Sequence, residues 1–157
     1  MFARLRRTSS LIVALALVGA AGACTDSTGL DEVEPEVESI RLTFSSGSVV
    51  TSVVTISSTG AVTGTVSLPA GGSRTVAAEF LNAEGQPDDH VTADEFQLAV
   101  TPATGVTFSR TAPFTGTLTA GGTTGSVAVQ FGLLHIEENH VDFGPFTVNV
   151  IVGSAGT

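Results

Sequence analysis

Apolar and polar residues alternate one by one through most of this chain. In "ESIRLTF", Ile40, Leu42 and Phe44 fall on one side and Ser39, Arg41 and Thr43 on the other, the spacing of a strand with one buried face. Val76, Ala78 and Phe80 repeat the pattern, as do Phe96, Leu98 and Val100, and then Val127, Val129, Phe131 and Leu133. Shorter stretches of the same kind are "VVTSVVTI", "AVTGTVSL", "GVTFSR", "FTGTLTA" and "PFTVNVIV". Between them lie "SSTG", "PAGGS", "NAEGQPDD", "TPATG" and "TAGGTTG". These are turn signals, because glycine accepts positive φ, proline fixes φ, and Asn and Asp bond their own backbone. Roughly nine short strands in about 120 residues predict an all-β, antiparallel sandwich or barrel. Val, Leu, Ile and Phe supply one core for it.

The start of the chain follows another pattern. Arg4, Arg6 and Arg7 precede the apolar run "LIVALALVGAAGA", the layout of a secretory signal peptide. Leu11–Ala23 falls short of a transmembrane helix, which needs about 20 residues. The only cysteine, Cys24, follows "AGA" directly. This segment resembles the lipobox of bacterial lipoproteins, although Ala21 stands where that family usually has Leu. The resemblance implies a signal peptide over 1–23 and a lipidated Cys24 as the mature N-terminus. A membrane anchor would follow, with localisation in the bacterial cell envelope, periplasmic or surface-exposed. Lipidation also accounts for a lone cysteine in an exported chain. Residues 24–36, "CTDSTGLDEVEPE", are acidic and poor in apolar side chains. They bury too little to offset their ordering entropy and read as a flexible tether. The sandwich is expected over residues 37–157.

Three stretches, "VESIRLT", "RTVAAEFLNAEGQP" and "FTVNVIV", resemble bacterial Ig-like domains, in which a strand runs into an Asp/Asn-x-x-Gly-x-Pro turn. The resemblance spans about 37–152. It implies an Ig-like antiparallel β-sandwich acting as a binding or structural module, with other envelope proteins as partners. The chain has no tryptophan and no cysteine pair with which to build the core marks of antibody domains.

Charge narrows the partners. The 157 residues carry a formal charge of −9. Removing the leader with its three arginines leaves three against fifteen acidic residues, a charge of −12. Such a surface repels phosphate backbones, so no nucleic acid is expected to bind. It repels anionic headgroups too, which favours a lipid anchor over a basic patch. Cations are the natural guests.

Candidate ligands for a cation cluster in "FGLLHIEENHVDFGPF", residues 131–146, a near-palindrome about the Glu137–Glu138 bond. Folded as a hairpin of 126–136 with 141–151, it sets His135 opposite His140, Leu133 opposite Asp142 and Gly132 opposite Phe143. The same register sets Phe131 opposite Gly144, Val129 opposite Phe146 and Val127 opposite Val148. Opposed Cβ atoms stand about 4.5–5.5 Å apart, so two imidazoles can share an ion. Asp142, two residues along the same face, adds an oxygen. His135, His140 and Asp142 suit zinc or another divalent metal. The loop "EGQPDDHVTADE" holds His90 with Asp88, Asp89, Asp94 and Glu95. If it shares an end of the sandwich with the 137–138 turn, His90 or Asp89 completes a tetrahedral set. Alternatively Asp88, Asp89, Asp94 and Glu95 take calcium, an oxygen-seeking ion. Both segments are also ordinary polar turns, so a metal-free interaction module stays open beside the metal readings.

Other chemistries lack their residues. Copper sites need cysteine or methionine, and here Cys24 is the anchor and the one Met is the initiator. There is no "GxSxG" elbow, and "PAGGSRT" lacks the "GK[ST]" ending of a phosphate-binding loop. No "DxDxDG" run marks an EF-hand. No catalytic residue is expected; a metal-water hydrolase would need an open coordination position and a pocket.

Overall fold

The computed structural model describes residues 35–153. The leader, Cys24 and most of the acidic tether lie outside them. Ten strands follow in chain order: β1 (Ser39–Ser46), β2 (Val49–Ser57), β3 (Val62–Thr63), β4 (Val66–Pro69), β5 (Ser73–Leu81), β6 (Phe96–Pro102), β7 (Val106–Ala112), β8 (Thr115–Ala120), β9 (Gly125–His135) and β10 (His140–Gly153). They form a six-stranded sheet, β3-β2-β1-β5-β8-β7, and a four-stranded sheet, β4-β10-β9-β6. All neighbours run antiparallel except β4 and β10, which are parallel. The orders β1-β5-β8-β7 and β6-β9-β10 correspond to the ABED and CFG orders of constant-type immunoglobulin sandwiches. Here β2 and β3 extend the first sheet beyond β1, and β4 extends the second beyond β10.

Alternation places the core as the sequence predicts. Ile40, Leu42 and Phe44 of β1 are fully buried and face Val129, Phe131 and Leu133 of β9 across the sheets. Each such side chain removed from water contributes roughly 1.5–3 kcal/mol. Phe44 and Phe131 meet edge-on, with ring centroids 6.5 Å apart. Two phenylalanines, on β1 and β9, thus join the layers in a chain with no disulfide or tryptophan to do so.

The stretch "AVTGTVSL" departs from the expected single strand. It divides at Gly64 into β3 and β4, which join different sheets. Gly64 has φ +96, and a Cβ there would lie 2.3 Å from the Val53 carbonyl oxygen. Only glycine lets the chain pass so close to β2 and cross between layers.

Candidate metal centre

His135 ends β9 and His140 begins β10, and the two are paired directly across the strands, as the sequence predicts. The residues between them, Ile136–Asn139, make the turn. Asn139 closes it with φ 52, a left-handed conformation that asparagine tolerates better than most residues.

Beyond that pair the register departs from a plain hairpin. Val141 pairs with Leu134, but Leu133 then meets Phe143 rather than Asp142, and Phe131 meets Phe146 rather than Gly144. Val129 and Val127 accordingly face Val148 and Val150. Two extra residues on β10 cause the shift. One is Asp142; the other lies in Gly144–Pro145, where proline has no N–H for the ladder and Gly144 adopts φ +95. Because two residues are inserted, the side-chain alternation is restored further along, and Val148 and Val150 remain in the core. Gly132 makes room for this bulge. A Cβ on Gly132 would lie 2.7 Å from the Phe143 carbonyl oxygen, so the bare backbone lets the bulged strand approach. Phe146 packs on Gly60.

The first bulge has a chemical consequence. Strict alternation would send Asp142 and Phe143 to opposite faces. Bulging keeps the Asp142 carboxylate beside the histidines while Phe143 enters the core, a re-aiming that bulges commonly perform. The main chain of Asp142 is open to solvent, but its side chain is only 20% exposed.

His135 is the most sheltered of the group, with a side chain 12% exposed. Its ring packs on Phe96, its partner on β6, at 4.7 Å between centroids. The rings of His135 and His140 are 5.9 Å apart. His135 Nδ1 lies 3.8 Å from Asp142 Oδ2 and 3.6 Å from Glu138 Oε2. His140 sits between the same carboxylates: Nε2 contacts Asp142 Oδ1, and Nδ1 is 3.0 Å from Glu138 Oε2. One ligand atom from each of His135, His140 and Asp142 falls within 4.8 Å of the others. Bonds of 2.0–2.1 Å around a tetrahedral zinc place ligand atoms about 3.3 Å apart. The three donors thus lie close enough together to converge on one ion.

Glu138 is the residue that sequence reading passed over, as a solvent-facing turn carboxylate. Its position three residues after His135 and two before His140 is the signal: a tight turn folds it back between the rings.

The second acidic segment does share this end of the sandwich. Glu95 accepts a hydrogen bond from the Ile136 N–H at 2.7 Å, and Phe96 pairs with His135. His90 nevertheless converges with Asp88 and Asp89, not with the hairpin histidines. Asp94 and Glu95 fall in neither convergent set; the Glu95 carboxylate accepts a bond from Thr92 Oγ1 at 3.1 Å. The described residues thus hold two separate groups of three potential ligands. Compared with known proteins, the chain matches no family model and no curated protein.

Proposed function

We propose that this chain is a non-catalytic binding module of the bacterial cell envelope, tethered through a lipidated Cys24, which coordinates zinc or a similar divalent metal at His135, His140 and Asp142. The observation that carries the reading is the convergence of two imidazoles and one carboxylate at the β9–β10 turn, achieved by a bulge that also satisfies the core. In this reading His140 binds through Nε2, and its Nδ1–H points to Glu138 at 3.0 Å. An outer carboxylate of that kind fixes the ring's tautomer and raises its basicity as a ligand. His135 and Asp142 supply the other two positions. The acidic surface attracts the ion and the lipid anchor holds the domain at a membrane.

Zinc titration of untagged full-length protein in detergent, compared with His140→Ala, tests this. One equivalent of tight binding is expected to disappear in the variant. Equal binding by both proteins rejects the site.

One observation favours a second reading, a metal-free module that holds another envelope component by a strand edge. Val49, Val50 and Val53 on β2 and Val62 on β3 are exposed at the border of the six-stranded sheet, and exposed apolar side chains grouped on an edge mark contact surfaces.

A further inference from the structure

Asp88 is the only buried charged side chain among the described residues, 7% exposed. The fold forces it inward. Its N–H donates to Phe80 O at 2.9 Å, and the preceding Pro87 bridges to Leu81 at the end of β5. On the other side Val91 N–H reaches Asp88 O at 3.3 Å, and Val91 packs against the core. The main chain at Asp88 is therefore pinned from both directions.

Its two oxygens are treated unequally. Oδ1 accepts the His90 backbone N–H at 3.0 Å and lies 3.2 Å from His90 Nδ1. Oδ2 is buried and has no hydrogen-bond partner. A carboxylate oxygen withdrawn from water without a donor is destabilising. A cation beside the carboxylate would offset its buried charge, and two more ligands stand ready. His90 Nδ1 is 3.4 Å from Asp89 Oδ1, and one ligand atom from each of the three residues lies within 4.8 Å of the others. Separations of 3.2 and 3.4 Å match the edges, about 3.3 Å, of a tetrahedron drawn around an ion with zinc-like bond lengths.

We propose that Asp88, Asp89 and His90 form a second divalent-cation site, independent of the hairpin site and using none of its ligands. Two carboxylates neutralise a 2+ ion, and Asp88 would bind through Oδ1, the oxygen that faces His90 Nδ1. The imidazole nitrogen selects a zinc-class ion over calcium, which takes oxygen ligands. Because the three ligands are consecutive, binding orders little chain that the loop has not already fixed.

The test uses full-length protein carrying His135→Ala and His140→Ala, titrated calorimetrically with zinc chloride. One equivalent is expected to bind, and adding His90→Ala is expected to weaken it by at least about tenfold. The His90 side chain is 44% exposed and belongs to no core cluster, so that change is expected to leave the fold intact; Asp88→Asn serves as a second variant, with circular dichroism to confirm folding. In wild-type protein, imidazole nitrogen NMR shifts of His90 are expected to move on zinc addition. The two sites fail separately. If only the loop site exists, wild type binds one equivalent that His140→Ala keeps and His90→Ala loses. No zinc binding by the double variant, binding unchanged by His90→Ala, or a response to calcium but not zinc overturns the proposal.

Discussion

Replacing Gly132 by alanine tests whether the bulged strand depends on a bare backbone opposite it. The new Cβ would lie 2.7 Å from the Phe143 carbonyl oxygen, 3.0 Å from Val141 Cγ1 and 3.5 Å from Pro145 Cα. Ordinary contact begins at 3.4 Å, so the carbonyl must retreat by about 0.7 Å. Val141 can rotate away, but the Phe143 carbonyl belongs to the strand that carries the bulge. Overpacking of this kind costs about 1–3 kcal/mol. Alanine recovers about 0.5–1 kcal/mol because it loses less backbone entropy than glycine. The net loss is at most about 2.5 kcal/mol, and relative to a glycine-to-alanine control that gains the same entropy it is about 1–3 kcal/mol, which in a domain of this size lowers the thermal midpoint by roughly 3–12 °C. Differential scanning calorimetry against Gly122→Ala supplies the control, since a Cβ at Gly122 meets nothing within 4 Å. Asp142 immediately precedes the displaced carbonyl, so zinc affinity should fall by about tenfold in the same variant. A midpoint equal to that of the control refutes the packing argument. A lowered midpoint with unchanged zinc affinity refutes the link between the bulge and the ligands.

Four further outcomes follow from the same structure. Phe131→Ala, which removes a fully buried ring and its contact with Phe44, is expected to cost about 3–5 kcal/mol in urea unfolding; a loss below about 1 kcal/mol would show that the layers are not joined there. Asn139→Val places a β-branched residue at φ 52 and should destabilise by about 1–2 kcal/mol while Asn139→Gly is close to neutral, and equal stability of the two would mean the turn relaxes freely. Zinc binding should weaken as pH is lowered from about 7.5 to 5.5, because protons compete for imidazole nitrogen and free imidazole titrates near 6.5; a flat profile would point to carboxylate-only ligation. Cys24→Ser should abolish incorporation of labelled palmitate and move the protein from the membrane to the soluble fraction, and continued labelling would reject the lipobox reading.

The sandwich was legible because burying one face of a strand leaves a period of two in the sequence. Ile40, Leu42 and Phe44 needed no other information. The pairing of His135 with His140 was legible for a related reason: a short polar turn between matched segments leaves few registers. What failed was the assumption that the register continues. Gly144–Pro145 inside a strand is a warning that one ladder bond is missing, but nothing local distinguishes Asp142 from any polar residue in alternation. Its bulge depends on the core accepting Phe143, a tertiary demand. The division at Gly64 likewise needs the position of Val53, which belongs to another strand. Placing His90 required the whole β5-to-β6 crossing between sheets, because loop residues adjacent in sequence to a site can still turn away from it.

Exposure separates what holds this fold from what the ligand groups do. The residues that join the sheets are removed from solvent, whereas the His140 and Glu138 side chains are 53% and 56% exposed. Removing either should leave the core untouched, and surface substitutions of that sort usually stay within about 0.5 kcal/mol. His135 is different, because its ring packs on Phe96 and its loss would alter packing and ligation together. A change in metal binding on replacing His140 therefore reports on coordination, while the same change on replacing His135 alone does not separate the two. The turn can carry chemistry for the same reason that it is a poor source of stability: its polar groups face one another rather than the core. A divalent ion adds stability only to the state in which those groups converge. At a free concentration 100 times its dissociation constant the stability added at the hairpin is about 2.7 kcal/mol, and that share should be lost in His140→Ala, leaving only what the loop site adds, while the metal-free stability stays where it was.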